Sequence, residues 1–492
     1  MKTIVLGLDG ASYNLVQNWL EDLPNFERIQ KIGSHGKLHS TIPPITMPAW
    51  ASAATGKSPE SLGFFDFQKI DFQKKSSNIV KLDDWGKTIW DTLNEKKLTT
   101  AVINYPGTYP VKKLRGAMIS GFLSPSTNNI YEPKELEIYL KQNKIQYKLY
   151  PDFNPYLSSE LKYIENIIEI TKNKTELFKK LIEKEEYATY FFGLMILDWY
   201  QHYFWKYMDP EHVHYKDSEL KNIIKSGYKT IDKFLGQILD NLKQDDYLFI
   251  FSDHGFGPLT GFFHINSWLY KENMLVSQSQ STTNKQITNT LRKVMGLIPF
   301  DITGIGNRIK YRRLFEKILP KSIMVDDPYT QRVDGLDVNW QETKAFGFGY
   351  YNSVFINTKQ RGGEIREKDS HLILEQLISK LSKEVESKGH TIEIFKTNPE
   401  NKLNNPDLIY LIDNGEYTQS NAYNPQNIWE ESNEKNGDHR KEGLFYIVGP
   451  NIKKDYKTRA NIIDLAPTLE YLLTNSISQN YDGKILQSII SN

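Results

Sequence analysis

Asp253 and His254 close an apolar, strand-forming run, Tyr247-Leu248-Phe249-Ile250-Phe251-Ser252, and Gly255 and Gly257 let the chain turn behind them. A carboxylate and an imidazole so placed suit a metal ion or a proton-transfer site. The plainer account is a loop Asp that caps the next element beside a solvated His. The pattern recurs, however. Asp9 follows the apolar run Ile4–Leu8, and Asp198 follows the run that begins at Thr189, with His202 four residues on, one helical turn away on the same face. With His439 in Asn436-Gly437-Asp438-His439-Arg440, the chain offers six hard or borderline ligands: Asp9, Asp198, His202, Asp253, His254 and His439. Six suffice for two metals, each with three protein ligands and an open position. Two cations a few Å apart clamp the attacking and leaving oxygens of phosphoryl transfer. Thr46 lies between Ile42-Pro43-Pro44 and Pro48, at a loop-to-helix junction whose free N–H groups favour an anion. It also reads simply as the N-cap of a helix over Met47–Ala54.

Strands must carry these residues and helices must cover the strands. Runs at Ile4–Leu8, Lys37–Thr41, Thr100–Asn104, Thr189–Asp198, Tyr247–Phe251 and Gly443–Gly449 alternate with helical patterns, which predicts an α/β fold: a three-layer αβα core on a mostly parallel central sheet. In open α/β sheets ligands bind outside the carboxyl ends of the strands, where the three Asp residues are expected to converge. Two stretches depart from the alternation. Residues 128–187 turn to charged helices and residues 270–341 to an irregular, helix-rich pattern, and both are expected to be insertions or lids on a single core spanning 1–492. Ser353–Asn357 and Leu408–Ile412 read as further strands.

Composition narrows the function. Of 492 residues 39% are hydrophobic, enough for a large core, and 61 Lys+Arg against 60 Asp+Glu leave no global basic field for specific nucleic-acid binding. The basic run Arg308–Arg313 reads as a solvated helix face. The chain has no Cys, which excludes disulfides, thiolate zinc sites and a Cys nucleophile. The opening residues run straight into a strand rather than a signal sequence, and no run approaches the ~18 apolar residues of a membrane span. The expected location is cytoplasmic and the expected partner a small molecule, with the oligomeric state open.

The chain resembles the alkaline phosphatase superfamily, most closely its type I phosphodiesterase/nucleotide pyrophosphatase branch. The matching pieces are Gly7-Leu8-Asp9-Gly10, Pro43-Pro44-Ile45-Thr46-Met47-Pro48-Ala49-Trp50 with Thr55-Gly56, and Leu197-Asp198-Trp199-Tyr200-Gln201-His202. Ser252-Asp253-His254-Gly255, Gly437-Asp438-His439-Arg440-Lys441-Glu442-Gly443 and the late Asp464-Leu465-Ala466-Pro467-Thr468 complete them in the family's order. The resemblance implies an alkaline-phosphatase-like fold and a metal-dependent phosphohydrolase that cleaves a phosphodiester or pyrophosphate bond. It implies Thr46 as the nucleophile that becomes phosphorylated, Asp9, Asp253 and His254 around one divalent metal, and Asp198, His202 and His439 around a second. Zinc suits this donor mixture, and manganese accepts similar ligands.

Two departures bear on substrate. Relatives often carry Asn shortly after the nucleophile, where this chain has Pro48-Ala49-Trp50, and His-Gly after Pro-Glu-Ser, where it has Leu62-Gly63. Trp50, Tyr200 and His264 are candidates for substrate contact, with core packing the alternative for the aromatics. The rival readings are a phosphomonoesterase, a phosphoryl transferase or mutase on the same fold, and a metal-binding protein without turnover.

Overall fold

The computed structural model describes residues 1–124, 128–152, 159–276, 338–397, 403–420, 427–432 and 435–491. Its centre is the strand Thr3–Leu8, buried along its whole length. Successive side chains of a strand point to opposite faces, and here both faces are buried. Ile4, Leu6 and Leu8 enter one core and Val5 the other.

Nine strands make the main sheet, in the order Tyr456–Asn461, Ser34–His39, Glu442–Val448, Tyr247–Phe251, Thr3–Leu8, Thr189–Leu194, Thr100–Tyr105, Gly116–Ser120, Tyr131–Glu132. Five of its eight interfaces are parallel, and Glu442–Val448 and Tyr131–Glu132 run antiparallel to their neighbours. Helices Pro24–Ile32, Ile196–Met208 and Ile223–Asp240 pack on one face and Thr46–Thr55, Ile89–Glu95 and Leu465–Thr474 on the other, which makes the three layers.

The charged stretch at 128–187 holds one long helix that packs on the core. Its long helix, Glu160–Glu183, buries Tyr163, Ile164, Ile167, Ile170, Leu177, Phe178 and Leu181 in the core, and Phe178 stacks on Phe192 of the sheet with ring centroids 4.1 Å apart. Its charges occupy the solvent face of an amphipathic helix. Of the second expected insertion, residues 277–337 lie outside the described residues, and the basic run Arg308–Arg313 with them.

A second sheet, absent from the single-core expectation, follows the loop at 253–254. Its seven strands run Ala345–Phe348, Ser353–Ile356, Leu408–Ile412, Tyr417–Ser420, Gly261–His264, Trp429–Glu431, with Ile392–Lys396 also paired to Leu408–Ile412. It has its own core with helices Ile265–Lys271 and Ser370–Ser387. Between the sheets, Gly255–Pro258 pairs antiparallel with Gly437–Arg440 and sets Phe256 opposite His439. That ribbon carries His439 back to His254. Among the described residues no helix is long and apolar enough to cross a membrane.

Candidate metal centre

Asp9 and Asp253 stand side by side because their strands are parallel neighbours, with Gly7 in register with Phe251. Asp253 Oδ1 accepts the Gly10 N–H at 3.1 Å, and Gly10 turns the chain at φ +72°. Asp9 is held from the opposite side, where Trp50 Nε1 donates to its Oδ2 at 2.9 Å. Gly7 makes this contact feasible. A Cβ at that position would lie 2.1 Å from the Trp50 ring, so only glycine lets the indole lie across the strand.

Asp198 does not end a strand. The strand stops at Leu194, and Asp198 sits in the first turn of the helix Ile196–Met208. The helix N-terminus favours a carboxylate there, and the next turn brings His202 over it. His202 Nε2 and His439 Nε2 each lie 3.3 Å from Asp198 Oδ1.

The three imidazoles share one arrangement. His202 Nδ1 bonds to the Gly437 carbonyl at 2.9 Å, His439 Nδ1 to the Pro44 carbonyl at 3.0 Å and His254 Nδ1 to the Gly255 carbonyl at 3.1 Å. A carbonyl can only accept, so each Nδ1 carries the proton and, in the neutral ring, each Nε2 presents a lone pair. The Nε2 atoms of His202 and His439 face each other at 3.2 Å, and His254 Nε2 faces Asp253 Oδ2 at 3.2 Å and Asp9 Oδ1 at 3.5 Å. Asp9 Oδ1, Asp198 Oδ1 and Asp253 Oδ2 are all buried and accept no hydrogen bond. Acceptors turned on acceptors in a dry site suit divalent cations. Two trios have ligand atoms within 4.8 Å of one another: Asp198, His202, His439 and Asp9, Asp198, His254. Asp198 thus belongs to both, which the two separate trios implied by the resemblance do not include.

The electrostatics agree. Burial pushes the Asp9 carboxyl well above its ordinary range, and Asp253 and Asp198 push it further. Asp253 is raised too, by burial first, against the Gly10 amide. Burial would raise Asp198 as well, but His202 and His439 beside it outweigh that and hold it well below its ordinary range. Burial, then the neighbouring His439, keeps His254 far below the usual imidazole value.

Thr46 borders this cluster, with Oγ1 3.5 Å from His254 Nε2. It is the first residue of the helix Thr46–Thr55 rather than its N-cap, which is Ile45. The first amides of a helix have no partner within it, so those of Thr46 and Met47 point out beside the hydroxyl.

The remaining candidates go elsewhere. Trp50 and Tyr200 are both buried in the core, Trp50 edge-on to Tyr105 and Phe251 and Tyr200 against Phe204, so neither forms a substrate wall. His264 is buried in the second sheet, bonded to Glu430 at 2.7 Å. Three residues at the centre have roles that spacing does not show, although Asn436 and Asp438 lie in the His439 segment. Asn436 donates its N–H to the His202 carbonyl and accepts the Lys206 N–H on Oδ1, the two groups that an undisturbed helix pairs with each other. Tyr351 and Asp438 flank His439.

The sequence profile described as type I phosphodiesterase / nucleotide pyrophosphatase matches residues 3–440. Venom phosphodiesterase 2 of Crotalus adamanteus is 27% identical over 158 residues, which are 30% of this chain and 19% of the venom protein. Ectonucleotide pyrophosphatase/phosphodiesterase family member 3 of Rattus norvegicus is 28% identical over 113 residues, 21% of this chain and 13% of the relative. These curated relatives are thus matched over less than a fifth of their own length. Human ectonucleotide pyrophosphatase/phosphodiesterase 5 shares the fold at a TM-score of 0.53 and 15% identity, with 100% of both chains covered. An inactive form of the murine protein, in complex with AMP, aligns at 0.54 and 14%, again over 100% of both chains. The matched span runs from the strand before Asp9 to the residue after His439, and the chain belongs to the type I phosphodiesterase/nucleotide pyrophosphatase family.

Proposed function

We propose that this protein hydrolyses a phosphodiester or pyrophosphate bond of a small-molecule substrate through a phosphorylated Thr46, using two divalent metal ions. One observation carries the reading: three imidazoles locked by backbone carbonyls turn bare Nε2 atoms onto three buried carboxylates, beside a threonine hydroxyl at a helix start. His202 and His439 with Asp198 would hold one ion, and Asp9, Asp253 and His254 the other, with Asp198 near enough to both to be shared. The nitrogen and carboxylate donors suit zinc, with manganese the alternative. When bound, the ions supply positive charge that makes a hydroxyl easier to deprotonate and offsets charge on the oxygens of the reacting phosphate.

The chain's own groups do the rest. The Thr46–Thr55 helix fixes Oγ1 at the cluster, and its first amides are placed to bind a non-bridging phosphate oxygen. As Oγ1 loses its proton and bonds to phosphorus, the bond to the leaving oxygen breaks, and that oxygen departs with the electron pair and takes up a proton. Water then attacks the phosphorus, Thr46 regains its hydroxyl and the phosphate product leaves, so one water is consumed per bond broken. Ala49 offers no side-chain amide to the phosphate, which shifts that task to the backbone. The AMP complex of the murine neighbour supports a nucleotide-like substrate.

The test is Thr46→Ala assayed on bis(p-nitrophenyl) phosphate and p-nitrophenyl phosphate with the zinc-loaded protein. Loss of a nucleophile is expected to lower kcat/KM by at least ~10³-fold on whichever ester the parent prefers. Full activity in the variant would remove Thr46 from the chemistry. The parent's preference between the two esters separates diesterase from monoesterase.

A further inference from the structure

The second sheet reaches into the metal centre through the turn between Ala345–Phe348 and Ser353–Ile356. Tyr351, at its tip, lays its ring parallel to His439, with centroids 5.1 Å apart and planes at 16°. His439 in turn stacks on His254 at 3.5 Å and 18°, so a column of three rings joins the second sheet to both ligand sets. The Tyr351 hydroxyl donates to Asp438 Oδ1. The same oxygen accepts the His439 N–H at 2.9 Å and lies 4.0 Å from His202 Nδ1. One buried carboxylate therefore faces the protonated side of one ligand ring and the backbone of the other, and Tyr351 holds it there.

The turn is itself anchored. Asp66, on the loop after the short helix Pro59–Leu62 that follows Thr46–Thr55, accepts the Tyr350 N–H at 2.6 Å. Gly349, at φ +91°, has no room for a Cβ against Asp66 Oδ2, which would lie 2.5 Å away. Tyr351 is thus clamped from the nucleophile side as well as by Asp438.

We propose that Tyr351 and Asp438 are positioning residues for the cation held by Asp198, His202 and His439, and that they set how tightly that site retains its ion. The proposal rests on the two-metal reading above. A carboxylate beside the N–H of a ligand histidine fixes the ring and raises the basicity of the coordinating nitrogen, and loss of such partners typically costs ten- to a hundredfold in metal affinity. Neither residue touches substrate or reacting atoms.

The experiment titrates zinc-loaded parent, Tyr351→Phe and Asp438→Asn with a competing chromogenic chelator and follows each equivalent of zinc released. Tyr351→Phe keeps the ring column and removes only the hydroxyl. Both variants are expected to release one equivalent at about tenfold lower chelator concentration and to hold the other as the parent does. The melting temperature of the zinc-loaded protein reads any general loosening of the fold. A Tyr351→Phe protein that releases both equivalents as the parent does overturns the proposal. So does one that loosens both together with a lowered melting temperature, since that is a structural effect. A parent that binds no zinc overturns the two-metal reading instead, and the assignment to Tyr351 and Asp438 falls with it.

Discussion

Lys174 → Met is expected to stabilise the protein at neutral pH and much less at alkaline pH. Lys174 projects from the Glu160–Glu183 helix into the core, 2% exposed, and its Nζ has no hydrogen-bond partner. It lies 5.7 Å from the centroid of Tyr147 and 5.5 Å from that of Trp199, the residue after Asp198. Burial pushes the amine down from 10.5 to about 7. The folded-state value is therefore below the unfolded one. Between pH 7 and 10.5 the unfolded chain binds a proton that the folded chain does not, so stability from this group rises with pH across that window and is lowest below it. At 1.36 kcal/mol per tenfold change in proton affinity, holding the lysine below pH 7 costs on the order of 5 kcal/mol. The two rings return roughly 2 kcal/mol of this by attraction to the cation. Methionine has a similar unbranched reach, no charge, and favourable sulfur–aromatic contacts. A net gain of about 3 kcal/mol is expected at pH 6.5, falling by about half at pH 9.5, where the folded lysine is neutral and the unfolded one is still mostly charged. Urea unfolding of parent and variant at the two pH values measures it, because other titrating groups cancel in the difference. A difference that does not change with pH, or a variant less stable at pH 6.5, refutes the argument that a suppressed charge sits there.

Trp50→Phe keeps the edge-on packing against Tyr105 and Phe251 but removes the donor to Asp9 Oδ2. It should loosen zinc at the Asp9–His254 side about tenfold in a chelator titration, leaving the equivalent that Tyr351→Phe weakens unchanged. Arg361, 2% exposed, pairs with Asp407 and donates to the carbonyls of Ile356, Leu403 and Asn405 inside the second sheet. Arg361→Ala strands the Asp407 charge and should cost about 3–5 kcal/mol, read as early loss of protection in that sheet by hydrogen exchange. An Arg361→Met, Asp407→Leu double variant that is no more stable than Arg361→Ala would argue against a stranded charge as the cause.

The sequence makes the carboxyl ends of strands visible wherever a glycine follows at once, as at Asp9-Gly10 and Asp253-His254-Gly255. It places Asp198 wrongly at a strand end because Thr189–Leu197 is apolar throughout, and nothing in that run marks where strand becomes helix. The spacing to His202 is nonetheless a helical turn, so the pair was legible even though its element was not. The stretch at 128–187 carries two signals at once. Charge density suggests a solvated lid, while the apolar residues of Glu160–Glu183 recur at helical spacing and bury one face. Of the second sheet only Ser353–Ile356 and Leu408–Ile412 are visible as strands; the others are three to five residues long, and Gly261–His264 joins them from far back in the chain. Trp50 on Asp9, Tyr351 on Asp438 and Asn436 in the turn at His202 join residues 41, 87 and 234 positions apart or thereabouts, beyond the reach of any periodicity.

The strand Glu442–Val448 has a consequence for the order of assembly. It lies between Ser34–His39 and Tyr247–Phe251 and is antiparallel to both. A chain emerging from the ribosome therefore holds its first strands in two groups that cannot join until more than 440 residues have been made. Until then Tyr247–Phe251 presents an unpaired apolar edge, a template for pairing with another copy, and Ser34–His39 lacks its partner. The same late segment brings His439, so closing the sheet and completing the ligand set are one event. A nascent chain arrested before Glu442 should need chaperone protection, and one extended through the strand Tyr456–Asn461 and the helix Leu465–Thr474 should not.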